Sequence, residues 1–348
     1  MNEIVTKPWI KEHSEHCSNL TISSSYFKDN LKNIENLVSK ITSENIDKLD
    51  MKDYLFNDLL LKIKNKIEGK TNIGLLCSGG EDSVYLLIIL VKYLNIRPKL
   101  FCYESKNNKK DVIRLKKISN AYDLELNIFG ISNLDIEDSY RLFIKNQSRP
   151  PNDMAQPVHN ALYKEAIKNF NCDIVIDGQF CDTVLLSNPQ NHFLLWYENY
   201  NFFLKQLIRV LNLIPFKENK KTHQRIVFLN ELFNSPDSVA VILRLVNFNE
   251  PDDFTIEYTR NLQGKIGTQL TFSVYFFSLL LSLRERDKYL QCPELYSPFD
   301  DFRYAAYANH NIDQIIDLFI RKKPIRYMCK KHFPRLFKFQ NTLPFELE

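Results

Sequence analysis

Six consecutive residues, Ser78-Gly79-Gly80-Glu81-Asp82-Ser83, are of types and in an order that could do chemistry. An apolar strand beginning at Ile73 runs into them, and the apolar run Val84 to Leu94 follows, so a strand ends in a glycine turn from which a helix opens. Two glycines let backbone N–H groups turn inward, two serines add hydroxyl donors, and the positive end of the helix adds its field. Together these make a phosphate-binding device. Asp82 alone would repel a phosphate, and a carboxylate in such a nest makes sense when a Mg²⁺ ion sits between the two. The chain has only 8 glycines, so an adjacent pair in one turn points to a backbone requirement. Neither better-known nucleotide loop fits: G-x-x-x-x-G-K-[ST] lacks its Lys here, and G-x-G-x-x-G lacks its spacing. The plain alternative is a Gly-Gly turn joining a strand to a helix.

The elements that must position this loop follow from periodicity. Leu55, Leu59, Leu60, Ile63 and Ile67 repeat at helical spacing and predict an amphipathic helix over Tyr54 to Ile67. After the loop come a strand at Leu100 to Tyr103, a helix at Asp111 to Ala121 and a strand at Leu124 to Ile131. Helices at Ile136 to Asn146 and Asn160 to Phe170 then lead to a strand at Asp173 to Ile176. Strands alternating with helices predict an α/β fold with a parallel sheet. Ligands in such sheets bind at the carboxyl ends of the strands, so the Ser78 loop and the loop at Asp177-Gly178 should face one cleft. Beyond Asn191 the pattern becomes helical, with helices expected over His192 to Leu213, Gln224 to Phe233, Val239 to Val246 and Gln269 to Arg286. Three more are expected at Tyr304 to His310, Ile312 to Ile320 and Arg326 to His332. This predicts three parts: a loose polar extension followed by a helix at Leu31, Ile34 and Leu37 over 1–50, an α/β core over 51–190 and a helical region over 191–348.

Composition narrows the class. With 348 residues and 44% apolar content, the chain can bury a sizeable core. No apolar run reaches the ~18 residues of a membrane span, and the first thirty residues lack a secretory pattern, so a cytoplasmic protein is expected. Seven cysteines occur without a C-x-x-C pair and read as reduced, mostly buried thiols. The charge of +4 neither demands nor excludes nucleic acid. His13, His16 and Cys17 have spacings a metal could use, but no second pair completes a tetrahedron. His159, His192 and His310 read as structural.

The loop S-G-G-E-D-S resembles the S-G-G-x-D-S signature of the PP-loop ATP pyrophosphatases. Three later stretches and, loosely, a fourth, in the family's order, resemble asparagine synthetase-like enzymes. Asp177-Gly178-Gln179-Phe180-Cys181-Asp182-Thr183 is similar to S-G-x-G-x-D-E. The stretch from Glu285-Arg286 through Glu294-Leu295-Tyr296-Ser297-Pro298-Phe299-Asp300-Asp301 is similar to D-R-x-x-M-x-x-x-x-E-x-R-x-P-F-L-D. Lys323-Pro324-Ile325-Arg326 is similar to K-x-x-L-R, and Arg335 to Pro344 loosely to R-x-K-x-x-F-x-x-P. The resemblance implies a parallel sheet with helices on both faces, of the adenine nucleotide alpha hydrolase type, completed by a helical C-terminal region.

The same resemblance implies an ATP-dependent carbon–nitrogen ligase that adenylates a carboxylate and passes the acyl group to a nitrogen. ATP and Mg²⁺ are the implied cofactors. Asp82 and Asp182 would hold the metal, and Ser78, Gly79, Gly80, Ser83, Tyr103 and Gly178 the nucleotide. Glu294 would position or deprotonate the nitrogen, and Lys323 would stabilise the charged transition state. Read without the resemblance, Asp82 is a helix cap, Asp182 a loop acid and Glu294 a helix-end surface residue. The chain departs from the family at several places. Residue 2 is Asn where the glutamine-using members have cysteine, Thr183 replaces an acid, Tyr296 replaces Arg and Tyr289 replaces Met. Nitrogen is therefore expected from ammonia, a separate glutaminase or a substrate amine, and the carboxylate from a small molecule or peptide. A tRNA-modifying enzyme and a non-catalytic nucleotide binder are the alternatives. The basic run Arg321 to His332 supports an RNA-facing helix, while the Glu294 to Asp301 match weighs against nucleic acid.

Overall fold

The computed structural model describes residues 22–42, 51–105, 108–130, 138–139, 155–188, 190–191, 193–195, 197–198, 206, 232, 234–246, 248, 250–280, 294–310 and 322–337. The expected helices at 136–146, 192–213, 224–233 and 312–320, and residues 13, 16 and 17, fall wholly or mostly outside these.

The described residues open with α1 (Ser24–Asp29) and α2 (Leu31–Thr42), followed by α3 (Met51–Ile67). Then come β1 (Ile73–Leu76), α4 (Glu81–Ile88, continuing as a π turn over Ile89–Tyr93) and β2 (Lys99–Glu104). Next are α5 (Lys109–Tyr122), β3 (Leu126–Gly130), α6 (Ala155–Lys168), β4 (Ile174–Ile176) and the short α7 (Cys181–Val184). The later part holds α8 (Ser238–Leu245), α9 (Asp253–Ile266) and α10 (Thr268–Tyr275, followed by a π turn over Phe276–Leu280). It closes with β5 (Leu295–Tyr296), α11 (Arg303–His310) and α12 (Lys323–His332).

The five strands form one all-parallel sheet in the order β3-β2-β1-β4-β5. Side chains alternate across it, as the strand period requires. Ile73, Leu75, Cys77, Leu100, Cys102, Ile174 and Ile176 enter the larger core, with α3, α4 and α5. Leu76, Phe101, Tyr103, Val175 and Leu295 enter a second core under α6, with Val158, Leu162 and Tyr163. The sheet is thus covered on both faces, which is why its strands read as continuous apolar runs. Each such side chain contributes on the order of 1.5–3 kcal/mol on burial. Cys77, Cys102, Cys172, Cys181 and Cys329 are free and buried, and no described helix is long and apolar enough to cross a membrane.

Three features differ from the sequence reading. Residues 22–30, expected to be loose, are packed structure: Phe27 is fully buried, edge-on to Phe248, Tyr258 and Tyr275 at 5.4–5.6 Å. The polar composition around Phe27 hid this, whereas the helix expected at Leu31, Ile34 and Leu37 is α2, which buries Ile34, Leu37, Val38 and Ile41. The unanticipated α9 starts where Asp252 Oδ1 accepts the Thr255 N–H at 2.9 Å, an N-cap that outweighs a polar helix body. Two-residue β5 is too short for periodicity to reveal, and it joins the sheet through backbone bonds from Val175 and Asp177.

An ionic network ties α3 to the segment after β5. Lys62 Nζ lies 2.7 Å from Asp58 and 2.5 Å from Asp301, Arg303 pairs with Asp301 at 2.5 Å, and Tyr304 donates to Asp58. Burial opposes the Asp301 charge, but bonds from Arg303 and Lys62 outweigh it and hold the carboxyl below the ordinary range. A depressed carboxyl pKa stabilises the fold above the unfolded value near ~4, and that contribution fades as the pH falls below it. Two measurements check this packing. Phe27→Ala lowers unfolding free energy by about 3–5 kcal/mol in a urea titration. Asp301→Asn costs about 2 kcal/mol at pH 7, a gap that narrows below about pH 4.

Candidate active site

The sheet order reverses between β1 and β4, which places the loops after these strands on either side of a switch point, the usual ligand crevice of such folds. Both loops named by the sequence lie there.

The first loop is fixed by its contact with α5. Gly79 has φ +83, and a Cβ on it would stand 2.2 Å from the Asp111 carbonyl oxygen, so no side chain fits. Arg114 Nη1 donates to the Gly79 carbonyl at 2.9 Å and to Asp111 Oδ1 at 2.9 Å, clamping the turn to that helix. Gly80 caps α4 without a side chain, its N–H donating to Ser78 Oγ at 3.2 Å. Ser83 Oγ donates to the Gly80 carbonyl at 3.2 Å, and the two serine hydroxyls are 3.5 Å apart. Hydroxyls and helix-end amides therefore cluster at one point, a donor arrangement suited to an anion.

The second loop presses against the first. A Cβ on Gly178 would lie 3.2 Å from Asp82 Cβ and 3.4 Å from Ser83 N. Buried Asp177 fixes the base of this loop, accepting from Ser297 Oγ at 2.5 Å and from the Gln179 N–H at 3.2 Å. Phe180 then takes φ +70, unusual for a bulky side chain, and starts α7. Asp182 follows, with Oδ1 accepting from Ser187 Oγ at 2.7 Å.

A lysine joins the two carboxylates. Lys322 Nζ lies 2.6 Å from both Asp82 oxygens and 2.9 Å from Asp182 Oδ1. The Lys322 and Asp82 side chains are 10% and 22% exposed, while that of Asp182 is 52% exposed. Burial works to lower the Lys322 pKa, but the carboxylates of Asp82 and Asp182 outweigh it and hold the ammonium above its ordinary value. Burial pushes the Asp82 carboxyl up and Asp182 adds to this, while Lys322 pulls it down. Next door, Arg326 Nε donates to Glu81 Oε2 at 2.9 Å, and Cys329 Sγ lies 3.5 Å from the Glu81 carbonyl, so α12 is pinned to the opening turn of α4. Burial also pushes the Cys77 thiol up to about 11 and Cys181 well above its ordinary value, so both stay protonated at neutral pH.

The structure thus brings together Ser78, Gly79, Gly80, Asp82, Ser83, Gly178 and Asp182. The basic residue at the cluster is Lys322, whereas Lys323 is exposed on the first turn of α12. The pattern K-x-x-L-R, counted back four places from Arg326, lands on Lys322, and that count is the signal that finds it. Tyr103 is buried in the core under α6, its carbonyl accepting from Asn108 Nδ2 at 2.8 Å. Glu294 stands level with Ile174 at the opening of β5, three residues or about 10 Å before the carboxyl edge. Its Oε2 accepts from Tyr163 OH at 3.4 Å. Glu81, Arg114, Arg326 and Ser187 carry no expected site role in sequence because each acts through a partner distant in the chain or through a loop with no periodic pattern.

Among the described residues no group of three or more His, Cys, Asp or Glu side chains could hold a metal ion. Two carboxylates facing a phosphate-type nest still suit Mg²⁺, which is commonly held by one or two carboxylates together with substrate phosphates and water. An open groove of about 600 Å³ lies elsewhere, lined by Leu195, Glu198, Arg260, Gln263 and Gln269 among others. None of the loop residues lines it; donors and charges converge at the switch point instead. Scans of the chain against protein-family models and against curated proteins found no match.

The clamp on the first loop gives a direct expectation. Gly79→Ala adds a left-handed alanine and a 2.2 Å clash, so it costs at least about 2 kcal/mol of stability by chemical denaturation.

Proposed function

We propose that this protein is an ATP-dependent amide-forming ligase of the asparagine synthetase-like PP-loop type. The observation that carries the reading is the Asp82–Lys322–Asp182 cluster beside the Ser78–Ser83 loop at the sheet's switch point. Four ordered sequence matches support it.

In this reading the hydroxyls of Ser78 and Ser83 and the amides of the Gly79-Gly80 turn hold the β- and γ-phosphates. A carboxylate oxygen of the substrate attacks the α-phosphorus, the bond to pyrophosphate breaks, and the negative charge moves to the leaving group within reach of those donors. A nitrogen nucleophile then attacks the acyl carbon, loses a proton, and displaces AMP. Asp82 and Asp182 would hold Mg²⁺, which when bound neutralises charge on the phosphates. Lys322 takes the role that the sequence assigned to Lys323: its ammonium, 10% exposed, stabilises negative charge in a water-poor cleft. No step is assigned to Glu294, whose carboxylate faces Tyr163. The substrate is a small-molecule or peptide carboxylate, and the nitrogen comes from ammonia, a glutaminase or an amine.

A second reading, action on RNA, draws on one observation. Lys323, Lys330 and Lys331 are exposed on α12 beside Tyr327, which is 49% exposed, a mixture of charge and aromatic surface that suits nucleic acid.

The test measures AMP release and ATP–pyrophosphate exchange over a panel of carboxylic acids, with and without ammonia. An acid-dependent exchange is expected, falling by about 10²–10³-fold in Lys322→Ala and Asp82→Asn. Binding of ATP without turnover for any acid would point to a non-catalytic nucleotide binder. Co-purifying RNA, with affinity that falls steeply with salt, would favour the second reading.

A further inference from the structure

The cation between the two carboxylates belongs to the chain itself. Lys322 Nζ touches both oxygens of Asp82 and one of Asp182. In the reading above, on which this inference rests, a divalent ion would lie in the same gap. We propose that Lys322 makes this site select metal that arrives already bound to nucleotide phosphates and excludes the free divalent ion.

The reasoning concerns where the ammonium goes. A free divalent ion entering between Asp82 and Asp182 must push Nζ aside. Glu81, the other acid on the same helical turn as Asp82, already accepts from Arg326 Nε at 2.9 Å with only 11% of its side chain exposed. Asp177 is buried and takes Ser297 and the Gln179 amide. With these two acids already engaged, a displaced ammonium can pair with either only by breaking an existing contact, and a largely buried, unpaired ammonium is heavily penalised. The like charge of the entering ion adds to the penalty.

A metal–triphosphate complex removes both costs. Its phosphate oxygens give Nζ a new partner as the metal takes the carboxylates, and they complete a coordination shell that two carboxylates leave mostly open. The fixed frame sharpens this discrimination. Asp182 is held by Ser187, Asp82 is packed against Gly178, and Lys322 sits at the start of a helix that Arg326 locks onto Glu81. Neither the carboxylates nor the lysine backbone can drift to accommodate a bare ion.

Electron paramagnetic resonance with Mn²⁺ as the probe tests this without any turnover, on the full chain, alone and with the α,β-methylene analogue of ATP. Wild-type protein should hold Mn²⁺ at least about 100-fold more tightly with the analogue than without it, a coupling that must appear equally as Mn²⁺-enhanced analogue binding. In Lys322→Met, and in Lys322→Gln, which keeps donors without charge, nucleotide-free Mn²⁺ binding should tighten by about 10-fold or more and the coupling should shrink. Equal Mn²⁺ affinity with and without the analogue in the wild type overturns the inference. So do folded variants, checked by near-ultraviolet circular dichroism, that bind free Mn²⁺ as weakly as the parent while keeping analogue-dependent binding. If wild-type protein takes up no Mn²⁺ even with the analogue, the metal reading itself fails and this inference falls with it.

Discussion

One ammonium group holds the cleft together. Lys322 Nζ reaches two carboxylates that lie on different loops, one after β1 and one after β4, and it comes from a helix that starts 240 residues beyond Asp82. Without it, two acids would face each other beside a helix terminus in a partly buried place, and their mutual repulsion would push the loops apart. The ionic contact therefore joins α4, α7 and α12 into one unit. The Arg326–Glu81 pair, one turn further along α12, stops that helix from pivoting about the lysine.

Backbone strain gathers around the same point. Gly79, Phe180 and Lys322 all have positive φ, and two of them carry side chains for which that region is unfavourable. Such conformations persist where the surroundings over-determine them. Phe180 packs on Phe277 at 5.3 Å, Gly79 is clamped by Arg114, and Lys322 is tied down at its tip. The strained positions bracket the carboxylates on every side, which fits a site whose geometry is set before any ligand arrives.

Much of this was legible in the sequence, for identifiable reasons. The parallel sheet showed because both its faces are buried, leaving continuous apolar runs such as Ile174 to Ile176. The glycine loop showed because its requirements are local: small residues, hydroxyls and a helix start. Asp182 showed through the resemblance of Asp177 to Thr183 to S-G-x-G-x-D-E. What did not show depends on distant partners. Lys322 and Lys323 are adjacent and identical in type, so nothing but the four-place count back from Arg326 separates them in sequence, and it is the fold that brings Lys322 to Asp82. Glu294 stands in a matching motif, yet its position at the opening of β5 turns its carboxylate toward Tyr163. Tyr103 ends a strand at the correct edge, but the pleat directs its ring into the core under α6.

The late entry of β5 has a kinetic side. Ser297, which fixes Asp177, lies 120 positions further along the chain, and Lys322 follows later still. Pairings over such separations carry a large loop-closure cost and form slowly. In a chain emerging in order from synthesis, β1 to β4 can condense early, leaving β4 without its outer neighbour and two acids uncompensated until the last helices arrive. That interval exposes β4 to pairing with other chains, so newly made protein is most vulnerable to misassembly before its own cation reaches the cleft.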